Sequence, residues 1–390
     1  MSFIFPIRVE SAVGSNTLLG LIMASSSIAG IFCDLLFPQL LRNIPWKKQL
    51  LYGSILSLLF PLLTAYGAWT SSVFVFLVAG IIWGIYYELI SFSEQNFVTT
   101  EQTKNDFSRS WGILFATSQF TGILGPILGS MLLVGSNNTF LVVIIFLQIL
   151  SILFAALTSA HLNGKGDEYK PRTSHINKAI NLFKEIRYWK TFTPHILPAI
   201  VVGVWLEAIE ATFWTLGGLF GMEIIQENNL DWTFIVLYST PFIVGSLILA
   251  KLNIVSGKKR LSHITMIFAG LILMPIYYFS NNWIPVAILI FLASFFLSFA
   301  GPLNEAVYSD LIKRSGKYKD DLLGLSKANS SLAYIVTPVA VGILADNLSY
   351  SIVFSIIGTL TAIIGFILFV FAPKKLHLSI SGLDDVESAH

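Results

Sequence analysis

The chain has only one cysteine, Cys33, so no internal disulfide can help hold its fold. Charge is scarce as well: 12% of residues are Asp, Glu, Lys or Arg, where soluble domains carry about 25%. No lysine or arginine falls near the middle of a long apolar run, which disfavours phosphate esters or other polyanions as cargo. The six histidines, His161, His175, His195, His263, His377 and His390, stand in gaps or at the ends of those runs, which disfavours a histidine proton relay or a metal site. A phosphate-cradling glycine loop is missing too, which argues against an ATP-driven pump within this chain.

Long apolar runs are abundant. Hydrophobic residues make up 55% of the chain. A helical span needs about 20 mostly apolar residues to cross roughly 30 Å of hydrocarbon. Eleven stretches qualify: 15–41, 49–69, 72–93, 110–134, 139–160, 194–221, 232–253, 262–281, 283–307, 323–345 and 349–371. Residues 1–9 are apolar but too few to cross. Of the 24 basic residues, all but Arg8 fall in alternate gaps, at span ends on the same side, or in the tail. Cytosolic loops carry this excess, so that side is expected to face the cytosol, together with the long gap at 161–193 and the tail after 372. Trp69, Trp232 and Trp283 mark the opposite interface as belt residues. The net charge of +2 therefore reflects topology rather than nucleic-acid binding.

The long gap divides the chain. Residues 163–171 are polar and turn-rich, while Ile176, Ile180, Phe183 and Ile186 form one helical stripe. That stripe belongs to a helix lying on the cytosolic interface or to a linker helix packed on the bundle ends. Residues 1–160 and 194–372 are expected to form two helical bundles, followed by a polar tail at 373–390. Gly84 and Glu88 recur as Gly301 and Glu305 at the same spacing near the cytosolic end of a span, which suggests an internal repeat.

The most distinctive pattern is Gly112, Thr121, Gly125-Pro126 and Gly129-Ser130 on the fifth helix of the first half. Small residues at helical spacing let backbones approach closely, and the proline permits a bend. This pattern resembles the antiporter motif of the major facilitator superfamily, with Thr121 and Ser130 where that motif prefers glycine. The resemblance covers about residues 1–372. It implies an all-α membrane protein of two six-helix bundles related by pseudo-two-fold symmetry, with the first helix mostly missing, and about 18 to 20 further residues expected before Met1 by the repeat. The superfamily's cytosolic loop motif keeps no aspartate at its usual place in either half; Asp34, four residues after Gly30, stands two turns earlier. The arginine that proton-coupled members place on the fourth helix is here Gly80.

Ionisable groups at membrane depth mark function by default, because they are costly there. Glu207 and Glu210 lie roughly 20 and 24 Å along the seventh helix from Pro194, at about 1.5 Å per residue. With Trp214 they share one face, and in the superfamily that helix lines the central cavity. The three are expected to bind substrate or proton, and Glu88 and Glu305 to join a cytosolic gate. The resulting expectation is a monomeric secondary transporter of the plasma membrane, moving a small molecule by alternating access without a cofactor. The acidic interior leans toward efflux of an amphiphilic or cationic compound in exchange for protons. Alternatives are uptake or facilitated diffusion by the same fold, or a membrane-embedded binding or scaffold protein. An enzyme is disfavoured because no acid, base and nucleophile constellation is present.

Overall fold

The computed structural model describes residues 4–41, 44–101, 107–134, 137–162, 182–225, 232–252, 254, 256–315 and 319–373. All regular structure among them is helical. Nine helices are long and apolar enough to cross a membrane among the described residues, which makes this a multi-pass integral membrane protein.

The first half contains α1 (Ile4–Val13), α2 (Asn16–Leu40), α3 (Trp46–Ser57), α4 (Leu59–Thr70), α5 (Val73–Glu101), α6 (Phe107–Val134) and α7 (Asn137–Leu162). α3 and α4 together form one span, interrupted at Leu58. Pro61 explains the break, since it has no N–H to donate to the carbonyl of Ser57. α1 rises about 15 Å and cannot cross by itself. Its Phe5 is fully buried and packs on Phe60, Phe76 and Trp83, with ring centroids 5.1, 6.1 and 5.8 Å away.

The second half contains α8 (Leu182–Ile225), α9 (Thr233–Leu252), α10 (Lys258–Leu273), α11 (Trp283–Ser315), α12 (Lys319–Asn347) and α13 (Tyr350–Phe371). A 3-10 segment, Met274–Phe279, extends α10 into a full span. Pro275 marks that change of winding, because it cannot donate to the carbonyl of Leu271.

Packing repeats between the halves. α2 lies on α5 as α9 lies on α11, and α3 with α4 lies on α5 as α10 lies on α11. Gly84 allows the α2–α5 approach, since a Cβ there would overlap the carbonyl of Ser26. Gly245 does the same between α9 and α11, where a Cβ would overlap Ser298 Oγ. The halves meet along two seams, α2 on α12 and α6 on α9. At the first, Gly20 lies against the carbonyl of Pro338 and Gly342 against that of Asn16, each too close for any side chain. Helices that bury this little bulk pack by backbone proximity, the usual solution where lipid removes a hydrophobic drive between them.

Two expectations differ from the structure. The seventh span was expected to begin at Pro194, but α8 starts at Leu182 and continues through Pro194 and Pro198. Tertiary packing outweighs the proline signal, because Tyr188, Phe192 and Ile196 are buried against Tyr308, Leu311, Leu322 and Leu325. Ile176 and Ile180 of the amphipathic stripe lie outside the described residues. Gly125, expected in a tight helix seam, is exposed, and a Cβ on it would meet nothing within 4 Å. The α6–α9 contact uses Gly122 instead, whose Cβ would stand 4.0 Å from Ser239 Oγ. Thr121 is likewise exposed, while Pro126 and Gly129 are buried. The side-chain surroundings of Gly112 lie outside what is described.

Candidate functional site

The site is built on one face of α8. Trp205 Nε1 donates to Thr361 Oγ1 on α13 at 2.9 Å, which anchors the opposite side of the helix. At 100° per residue, this leaves Gly203, Glu207, Glu210 and Trp214 on a common face turned away from that anchor. Glu207 and Glu210 stand roughly 27 and 22 Å along α8 from its C-terminal end at Ile225, at about 1.5 Å per residue. Trp214 Nε1 donates to Glu210 Oε1 at 3.3 Å, so the indole orients the carboxylate from the turn above. The hydrogen bond joins Trp214 to Glu210, and Glu207 shares their face one turn away.

Three tyrosines complete the surroundings. Tyr87 on α5, Tyr238 on α9 and Tyr334 on α12 all lie within electrostatic reach of both glutamates. Tyr87 exposes 61% of its surface. Glu207, Glu210 and Tyr334 are half-buried. Tyr238 is fixed from behind by a stacked Phe213, ring centroids 4.2 Å apart, and Phe213 rests on Phe354 at 4.8 Å. The surroundings of the two carboxylates thus draw on α5 of the first half and α8, α9 and α12 of the second. None of the three tyrosines is among the site residues expected from the sequence. The only local signal for Tyr87 was its place beside Glu88 at membrane depth.

The turn below the carboxylates is polar and tight. A Cβ on Gly203 would lie 3.3 Å from Asn304 Nδ2 and 3.6 Å from Asn329 Nδ2. Asn329 Nδ2 donates to Tyr308 Oη at 2.6 Å, and Asn304 Nδ2 donates to the carbonyl of Ala199 at 3.3 Å. All three side chains are buried, so their polar atoms are satisfied within the protein, as burial demands.

The two expected gate residues occupy different surroundings. Glu88 is half-buried near Gly30 of α2, where a Cβ would be 3.5 Å from Glu88 Oε1 and 3.2 Å from Ser331 Oγ of α12. Ser331 Oγ also donates to Asp34 Oδ2 at 2.9 Å, which places Asp34 and Glu88 in one acidic group on the α2–α12 seam. Glu305 is exposed on α11, within electrostatic reach of Tyr308.

In a comparison with protein families, residues 208–388 match the Major Facilitator Superfamily. The matched stretch begins within α8 and takes in α9 to α13. No curated protein matches the chain. The match supports a member of that superfamily, whose proteins are secondary transporters, and the all-helical membrane architecture with its two similarly packed halves is consistent with the superfamily's fold.

Proposed function

We propose that this chain is a proton-coupled efflux transporter of the antiporter branch of the superfamily, taking a small organic cation or amphiphile as substrate. One observation carries the reading: Glu207 and Glu210 share a face of α8 with Trp214, which donates to Glu210, and both lie within electrostatic reach of Tyr87, Tyr238 and Tyr334. Carboxylates supply the charge that a cation or a proton needs, and ring faces attract an organic ammonium through their quadrupoles. Because proton and cation compete for the same carboxylates, binding of one drives release of the other. That competition is the minimum requirement for exchange.

The protein acts as a monomer in the plasma membrane, with the 161–193 segment and the tail in the cytosol. Support comes from the basic residues, which gather at one set of helix ends, including Lys258, Lys259 and Arg260 at the start of α10. Glu88 and Glu305 belong to the cytosolic end of the pathway in this reading.

A second reading, facilitated passage without protons, is favoured by Gly80, which stands where proton-coupled members carry arginine. A Cβ at Gly80 would overlap Ser25 Oγ, so α2 leaves no room there for a longer side chain. Inverted membrane vesicles separate the two. Uptake of labelled organic cations that rises with an acidic interior supports exchange, whereas uptake indifferent to the pH gradient favours facilitation.

A further inference from the structure

At the outer end of the α2–α12 seam, a carboxylate of the second half caps a helix of the first. Asp346 Oδ1 accepts from the backbone N–H of Asn16 at 2.9 Å. Asp346 Oδ2 accepts from the backbone N–H of Thr17 at 2.9 Å, from Thr17 Oγ1 at 2.7 Å and from Ser15 Oγ at 3.3 Å. Ser15 Oγ in turn accepts from the N–H of Leu18 at 3.3 Å. Every free amide of the first turn of α2 is therefore satisfied, two of them only by a residue 329 or 330 positions away. Helix starts normally find such caps in their own chain neighbourhood. Here the cap comes from the other bundle.

A second link runs beside it. Tyr350 Oη at the start of α13 donates to Asn16 Oδ1 at 3.2 Å, and the Tyr350 N–H donates to the carboxylate of Glu223 at the outer end of α8. Below these, Gly342 and Gly20 keep the two helices in backbone contact. Nearer the other end, Ser331 and Asp34 join the same helices.

We propose that Asp346 is the outer latch of the transporter: its capping of α2 holds the outer mouth closed, and its release lets the cavity open outward about the α2–α12 seam. This rests on the alternating-access reading above. The chemistry suits a reversible catch. Asp346 is exposed, so water can take over its hydrogen bonds when the helices part. Glu10 and Glu223, with Asp346, lie within electrostatic reach of Tyr350, and their like charges weaken the closed arrangement. The favourable field at the start of α2 opposes that repulsion.

Spin labels at Ser71 and Asn281, in a Cys33→Ser background, place one reporter on the outer turn of each half. The distance between them, measured in reconstituted protein, reads the outer mouth directly. Asp346→Ala is expected to raise the ratio of long to short distances by roughly tenfold, the loss of charge-assisted bonds that only the closed state makes. Thr17→Val, which removes one bond of the four, should shift the ratio in the same direction by less. If Asp346→Ala does not fold, the Thr17→Val shift decides the matter. Unchanged distance distributions in the folded variants would overturn the latch. Shifted distances in a protein that moves no cation in vesicles would leave the latch standing and remove the transport reading instead.

Discussion

Trp214 and Glu210 are joined across one turn of α8, the indole N–H donating to the carboxylate at 3.3 Å. The bond does two things at once. It selects one orientation of the acid, and it directs the ring toward the face that Glu207 also shares.

Trp214→Phe retains an aromatic ring but deletes the donor. A hydrogen bond to a charged group contributes about 1.5 to 3 kcal/mol, so the apparent KM for a cationic substrate should rise on the order of tenfold with little change in the amount of folded protein. Concentration-dependent uptake in vesicles checks this. An unchanged KM would mean that the indole only packs.

Gly84 and Gly125 are expected to respond oppositely to enlargement. Gly84→Ala forces a Cβ onto the carbonyl of Ser26 and should destabilise the protein by about 1 to 3 kcal/mol through overpacking. Gly125→Ala places its methyl in open space and should leave the melting temperature unchanged. Thermal unfolding of the two variants in one detergent makes the comparison.

The helical spans were legible because apolar length is a local signal. Pro194 misled because proline marks a helix start only when packing does not intervene, and here Tyr188, Phe192 and Ile196 extend α8 backward on a buried contact. Gly125 was read as a seam residue from spacing, yet spacing alone does not say which way a helix face turns. The same limit hid Tyr87: its relation to Glu207 and Glu210 depends on how α5 and α8 come together from different halves. The role of Asp346 was not legible, since its partners Ser15, Asn16 and Thr17 lie at the far end of the sequence.

The buried pair of Asn329 and Tyr308 supports a coupling test. Asn329→Leu leaves the Tyr308 hydroxyl without its donor, and Tyr308→Phe leaves the amide without its acceptor. Each single change should cost about 1 to 3 kcal/mol, and the double variant should cost less than the sum. Chemical denaturation of the four proteins provides the cycle, and strict additivity would mean that the bond contributes nothing.

Sidedness is checked by labelling whole cells. In the Cys33→Ser background, a cysteine at Ser71 should react with an impermeant maleimide and one at Ser256 should not, since the two turns lie at opposite ends of the bundle. The reverse pattern would invert the proposed orientation.

The central claim is that Glu207 and Glu210 carry the charge that couples proton to cation. Its most direct test is cation uptake driven by a pH gradient in inverted vesicles containing Glu207→Gln/Glu210→Gln. Glutamine keeps the shape and much of the hydrogen bonding but cannot titrate. Gradient-driven uptake should fall by about tenfold or more while thermal stability stays near that of the parent, because removing a charge from membrane depth does not weaken the bundle. Undiminished gradient-driven uptake by this double variant would contradict the account.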